Sequence, residues 1–229
     1  MRPTLPQKTI KDGRDKVQSL AEEIANAVTH GIGTGLSIAG LAIAVVVAAR
    51  YGDRYSVIGA VVFGASLVLL YLASTLFHAL QRETVKVAVR RFFHILDYIG
   101  IGFLIAGTYT PFALKLRSSG GWTILIIIWS LAIIISFIKA FFTGRFNGIT
   151  ALAYVAMGWM GIFMFGDMVA RFGLGPIIWL FIGGVAYTVG VIPFLWEKLP
   201  YNHAIWHLFV MVGSICHFWG ILFYVLPVT

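Results

Sequence analysis

Seven stretches of about twenty apolar residues, separated by breaks too short to hold a domain, govern what this chain can become. They run approximately at 25–49, 56–79, 92–112, 121–142, 148–167, 175–196 and 203–226. About 20 apolar residues on an α-helix cross the roughly 30 Å of bilayer hydrocarbon. Inside hydrocarbon every backbone N–H and C=O must be satisfied by the protein itself, and a lone segment achieves that only as a helix. The breaks carry charge or turn signals, from Arg50 to Arg54, Gln81 to Arg91, Lys115 to Gly120, Gly144 to Asn147, Arg171 to Gly173 and Glu197 to Pro200. Charged residues make up 11% of the chain and hydrophobic ones 59%, whereas a soluble domain carries about a quarter charged. The expected fold is all-α: a polytopic seven-transmembrane-helix bundle, with a tail over 1–20 and one transmembrane domain over 21–229.

The distribution of positive charge orients the bundle. Twelve of the 17 Lys and Arg fall in the tail and in the second, fourth and sixth connections; five fall on the other side. Positive residues in short loops stay cytoplasmic, so the N-terminus is expected inside and the C-terminus outside. The net charge of +8 is then mainly a topology signal, with some attraction to anionic headgroups. No aromatic platform interleaves with a basic stripe, so the expected partner is membrane lipid and not nucleic acid. The first apolar run is too long for a cleavable signal peptide and is expected to anchor the chain. Cys216 is alone and therefore forms no internal disulfide; on an apolar span it reads as a packed residue. Gly31, Gly33 and Gly35 superficially suggest a phosphate loop, but they lie inside an apolar span, where close helix packing explains them.

Against this apolar background six histidines stand out. His203 and His207 sit four apart, on one helix face one turn from each other, a spacing that lets two imidazoles share a metal ion. Ser74 and His78 repeat the spacing, and Glu23, Asn26 and His30 lie at i, i+3 and i+7 on one face. With the expected orientation, the first span begins with Glu23, Asn26 and His30, and the second ends with Ser74 and His78. The third carries Asp97 in its second turn, and the seventh begins with His203 and His207. Four segments remote in sequence thus bring polar residues to one depth, near the cytoplasmic face. Ionisable residues inside a membrane mark functional sites by default. Each also has a structural alternative, a hydrogen bond from helix to helix. For Asp97 that alternative is orienting a histidine rather than acting as a base.

These patterns resemble the three motifs of the hemolysin III family: Glu23-x2-Asn26-x3-His30, then Ser74-x3-His78 followed by Asp97, then His203-x3-His207. That family belongs to the broader group of seven-span progestin and adiponectin receptors and is distantly similar to alkaline ceramidases. The stretches from Ile105 to Phe112 and from Pro200 to His207 are particularly similar to bacterial members. Those members often carry His after the third-span Asp, where this chain has Tyr98, with His94 one turn earlier. The resemblance implies a bacterial inner-membrane protein with a zinc ion held by His78, His203 and His207, and with Asp97 reaching the water that zinc activates.

Three imidazoles and a water form a catalytic-type open site, and zinc brings the water's pKa toward neutrality. Asp97 could act as general base and then acid, with Ser74 bonding a ligand or the water. Glu23, Asn26 and His30 read as a polar cluster beside the site. His217, ten residues past His207 and roughly 15 Å along the helix, is too far to join it. Two functions remain open. One is a zinc-dependent hydrolase of lipid amides or esters in membrane homeostasis. The other is a non-enzymatic protein, a cytolysin or pore-former or a sensor of membrane state, in which zinc is structural. A pore requires a continuous polar stripe; here polar residues gather at one end.

Overall fold

The computed structural model describes residues 18–82, 84–118, 120–142 and 146–227; most of the tail expected over 1–20 lies outside them. Among the described residues the chain is helical without strands. Its helices are α1 (Leu20–Tyr51), α2 (Arg54–Ala79), α3 (Val87–Lys115), α4 (Gly121–Phe141), α5 (Asn147–Trp159), α6 (Phe165–Phe172), α7 (Gly175–Leu195) and α8 (Asn202–Tyr224). A 3₁₀ segment over Met160–Met164 joins α5 to α6 into one span, so that seven spans are long and apolar enough to cross a membrane.

Several span ends have a local cause. Ser19 caps α1 through a reciprocal pair: its hydroxyl accepts from the Glu22 amide, and the Glu22 carboxylate accepts from the Ser19 amide. Asp53 and Ser56 cap α2 in the same way. Gly120 before α4 and Gly173 after α6 take positive φ, 86° and 70°, the left-handed region that costs glycine nothing. Helices α1 and α3 begin about five residues earlier than hydropathy alone places them, at Leu20 and Val87. Caps and snorkelling side chains carry a helix beyond the hydrocarbon. Asp97 consequently lies in the third turn of α3 rather than the second. The fifth span runs to Phe172.

The bundle is turned inside out relative to a soluble one. Ile24, Val28, Ile32, Leu36, Ile43 and Val46 of α1 are exposed, as lipid contact requires. The buried face of α1 is Asn26, His30, Gly33, Ser37, Gly40, Ala44 and Ala48, small or polar residues at spacings of three and four. Small residues let helices approach closely in lipid, where hydrophobic burial gives no drive. Gly33 shows the need: a Cβ there would stand 2.5 Å from Tyr71 Cδ1. Helix α1 packs on α2, α2 on α3 and α3 on α4; α7 packs on α8, and α8 closes against α1. Helix α5 touches α3 and α7 only lightly, and a cavity remains between them.

Two lysines near the ends of apolar stretches belong to helices. Lys115 ends α3 and pairs with Asp53 at 2.9 Å. Lys139 is buried in the last turn of α4, where it donates to Asn147 Oδ1 at 2.8 Å and lies 4.2 Å from the Tyr98 ring centre. Ion pairing and cation–π contact let both charges sit within the bundle.

Candidate metal centre

One end of the bundle collects the beginning of α1, the end of α2, the beginning of α3 and the beginning of α8. There His78 of α2 meets His203 and His207 of α8. One ring nitrogen from each lies within 4.8 Å of the other two. The ring centres of His203 and His207 are 4.5 Å apart, those of His78 and His203 5.0 Å, and those of His78 and His207 5.2 Å.

Two of these rings are oriented from α1. His78 Nδ1 is 2.7 Å from the Glu23 carboxylate; a carboxylate accepts, so Nδ1 carries the proton and Nε2 is left with the lone pair. His207 Nδ1 lies 3.1 Å from Thr29 Oγ1. The Thr29 hydroxyl donates to the carbonyls of Ala25 and Asn26 at 2.9 Å, so it accepts from Nδ1, and the Nε2 of His207 is likewise freed. A ring nitrogen fixed by an outer acceptor while its partner faces inward is the arrangement that metal-ligating histidines use. Thr29 was not apparent as a site residue from sequence; it lies three residues after Asn26, on the same helical face, which is the signal that points to it.

Asp97 stands outside the three-histidine group. Its carboxylate neighbours Ser74 and His78, and with His30, His203 and His207 it lines a small cavity of about 40 Å³. His30 stacks on His207, ring centres 3.4 Å apart and planes 13° apart, and meets the Tyr71 ring edge-on at 5.0 Å. Asn26, wholly buried, approaches His78 Nδ1 at 3.4 Å and also bonds Gln18. Each candidate from the three motifs therefore reaches one locus.

Residues 18–218 match the family described as Haemolysin-III related. The chain belongs to the hemolysin III-related family. It is 48% identical to Hemolysin-3 of Bacillus cereus over 92% of this chain and 94% of that one. It is 42% identical to the Hemolysin-3 homolog of Bacillus subtilis over 92% and 97%. The human monocyte to macrophage differentiation factor is 29% identical over 87% of this chain and 83% of its own length. A family known from bacteria and seven apolar helices together make this a multi-pass bacterial membrane protein.

The residues at the hemolysin III locus fit a zinc ion. Among the described residues, the buried side-chain nitrogen and oxygen atoms lacking a hydrogen-bond partner are Asn26 Oδ1, both ring nitrogens of His30, Ser74 Oγ and His78 Nε2. All belong to this one cluster. Each buried polar atom left unpaired costs about 1–3 kcal/mol, so the site is built for polar guests. Three imidazole nitrogens form the donor set of an open zinc site.

A second, larger cavity of about 370 Å³ adjoins the first, its lining overwhelmingly apolar and drawn mostly from α3, α5, α7 and α8, with Leu70 of α2, the 3₁₀ segment and α6 completing it. Leu70, Tyr98, Ile101, Phe194, Trp206 and Val210 line both, so the two share a wall. His94 is not one of the grouped histidines; its ring lies parallel to Phe77, centres 4.4 Å apart, and beside Tyr98. His217 belongs to neither the group nor its small cavity; its ring sits against that of Tyr187, centres 5.4 Å apart. Cys216 is buried and unbonded to sulfur.

Proposed function

We propose that this protein is a zinc-dependent hydrolase of lipid amides or esters, working from the cytoplasmic leaflet in membrane-lipid homeostasis. One observation carries the reading: three histidines with convergent nitrogens stand where an acyl-sized apolar cavity begins. Ligand cavities of about 300–1,000 Å³ are the usual size for binding a small molecule. The excess of Lys and Arg in the tail and in the second, fourth and sixth connections of the sequence supports the cytoplasmic orientation of this end.

His78, His203 and His207 would hold the zinc, which supplies Lewis acidity and makes water nucleophilic at neutral pH. Glu23 and Thr29 keep the His78 and His207 rings in the required tautomer. Asp97, at the small cavity that His203 and His207 also line, takes a proton from the attacking water and returns it to the departing amine or alkoxide. Ser74 lies beside it, and its unpartnered hydroxyl is available to donate to the water or to that carboxylate. The large cavity receives the acyl chain, and the wall it shares with the small one sets the scissile bond against the histidines. The apolar lining excludes bulk water, which strengthens every charge interaction at the site.

The non-enzymatic reading, with zinc as a structural staple, draws on a different observation. The ligands come from α2 and α8, which are joined nearby through Tyr71 and Ser214, so that a bound ion would tie distant spans together. Purified protein distinguishes the two. Wild type should carry about one zinc per chain by elemental mass spectrometry, and His203→Ala with His207→Ala should carry none. Asp97→Asn should keep the metal and lose hydrolysis of ceramide-like amides or phospholipid esters by about a hundredfold or more. Turnover unchanged in Asp97→Asn would remove Asp97 as the base. A metal-replete wild type that hydrolyses none of these lipids would favour the staple.

A further inference from the structure

The wall of the large cavity is not chemically uniform. Part-way along it lie His217 of α8 and Tyr187 of α7, well away from the candidate ligands. His217 Nε2 is 3.2 Å from the Leu180 carbonyl oxygen. A carbonyl only accepts, so Nε2 carries the hydrogen, and in the neutral imidazole Nδ1, on the opposite edge, holds the lone pair. No hydrogen bond among the described residues engages that Nδ1. The neighbouring Tyr187 hydroxyl is already tied to Ser214 Oγ at 2.8 Å, which receives the Tyr71 hydroxyl at 2.7 Å. The residue that lines this part of a mostly apolar chamber therefore carries an acceptor.

The packing shows that this pair is seated rather than stranded. A Cβ on Gly183 of α7 would stand 2.6 Å from His217 Nε2, and one on Gly213 of α8 would stand 2.5 Å from Tyr187 Cε2. Each ring occupies the gap that the facing helix leaves by carrying no side chain. The position along the cavity matters as well. His217 lies roughly 15 Å along α8 from His207. The lining continues past it to Ile177 of α7 and Met168 of α6, since α7 runs antiparallel to α8 with Pro176 against Gly220. A chain whose head reaches the histidines passes His217 in its middle, not at its tip.

We infer that the cavity selects an acyl chain bearing a hydroxyl part-way along its length, with the O–H donating to His217 Nδ1. This rests on the reading that the cavity holds the acyl chain. A plain methylene chain would cover Nδ1 and leave it unpaired, and a site built to hydrogen-bond a hydroxyl discriminates against the analogue without one.

The test compares binding of octadecanoic acid and of its mid-chain hydroxylated form to the purified full-length protein in lipid nanodiscs, each displacing radiolabelled octadecanoic acid. The hydroxylated acid should bind about fivefold more tightly, the value of one net neutral hydrogen bond. In His217→Phe, which keeps the ring and removes the acceptor, the ratio should fall to one. Equal affinity of the wild type for the two acids overturns the inference without reference to any variant, as does a preference that persists in His217→Phe. Failure of both acids to bind overturns the acyl-cavity reading itself, and that outcome is distinct from equal binding.

Discussion

Glu23 does its work by accepting one hydrogen bond. With its carboxylate 2.7 Å from His78 Nδ1, the imidazole is held in the tautomer that keeps the lone pair on Nε2, a buried atom with no hydrogen-bond partner in the group with the other two histidines. Thr29 does the same for His207 without a charge. Removing such outer partners typically costs 10–100-fold in metal affinity. Glu23→Ala should therefore weaken zinc binding by about that factor, and Thr29→Val by less, because a neutral acceptor polarises the ring less. Chelator competition on the purified variants measures both; unchanged affinity in Glu23→Ala would make the carboxylate a bystander. Sequence legibility divides along the same line. The candidate ligand histidines announce themselves by spacing on apolar helices, where an imidazole has no reason to be unless it has a partner. Thr29 makes no such announcement, since a helical threonine is satisfied by its own backbone carbonyls. The stacking of His30 on His207 was unreadable for another reason: it depends on how α1 rotates against α8, which no local pattern records.

At the scale of elements, the spans were legible because about 20 apolar residues in a row admit a single solution in lipid. Their ends were not. Hydropathy stops at Arg50, Arg90 or Arg91, whereas α1 and α2 begin at the caps Ser19 and Asp53 and α6 ends at Gly173. Asp53 joins two such ends, capping α2 and pairing with Lys115 at the end of α3. Burial alone would push its carboxyl up. Hydrogen bonds from Lys115 and Ser56 and the lysine's charge outweigh that and hold it down at about 2. The folded chain thus takes up this proton at lower pH than the unfolded chain, whose aspartate titrates near 3.9. The contribution to stability is complete above the unfolded value and is lost as pH falls from about 4 to about 2. Asp53→Ala should lower the melting temperature in detergent by about 2–4 °C at neutral pH, as expected for the loss of an N-cap. The difference from wild type should close toward pH 2. A constant difference across that range would assign the effect to packing. Asp53 is well exposed to solvent, which keeps the share of the ion pair itself small.

Taken whole, the molecule places its polar chemistry at one end and its largest void beside it, and both follow from how unevenly the spans pack. Helices α1, α2, α3 and α8 bring the histidines to one end, α1 packing through small residues on its buried face. The fifth span, interrupted by a 3₁₀ segment and only loosely held to α3 and α7, leaves the chamber open. Wide pores need polar residues along the full depth of a bundle, and this chamber is lined by Ile101, Leu104, Phe112, Leu180 and similar side chains; it suits a hydrocarbon chain better than an ion. If acyl chains occupy it during turnover, bulk added to its wall should cut down the accepted chain while leaving the metal centre alone. Val155 of α5 lines the chamber and not the small cavity of the histidines. Val155→Trp should keep wild-type zinc content and hydrolyse short-chain amides or esters normally, while losing about tenfold or more in kcat/KM on long-chain ones. A loss uniform across chain lengths would show that the added ring disturbs the bundle. No loss at any length would show that the chain lies elsewhere, against the lipid-facing side of the spans, with the metal centre reached from the leaflet instead of through the chamber.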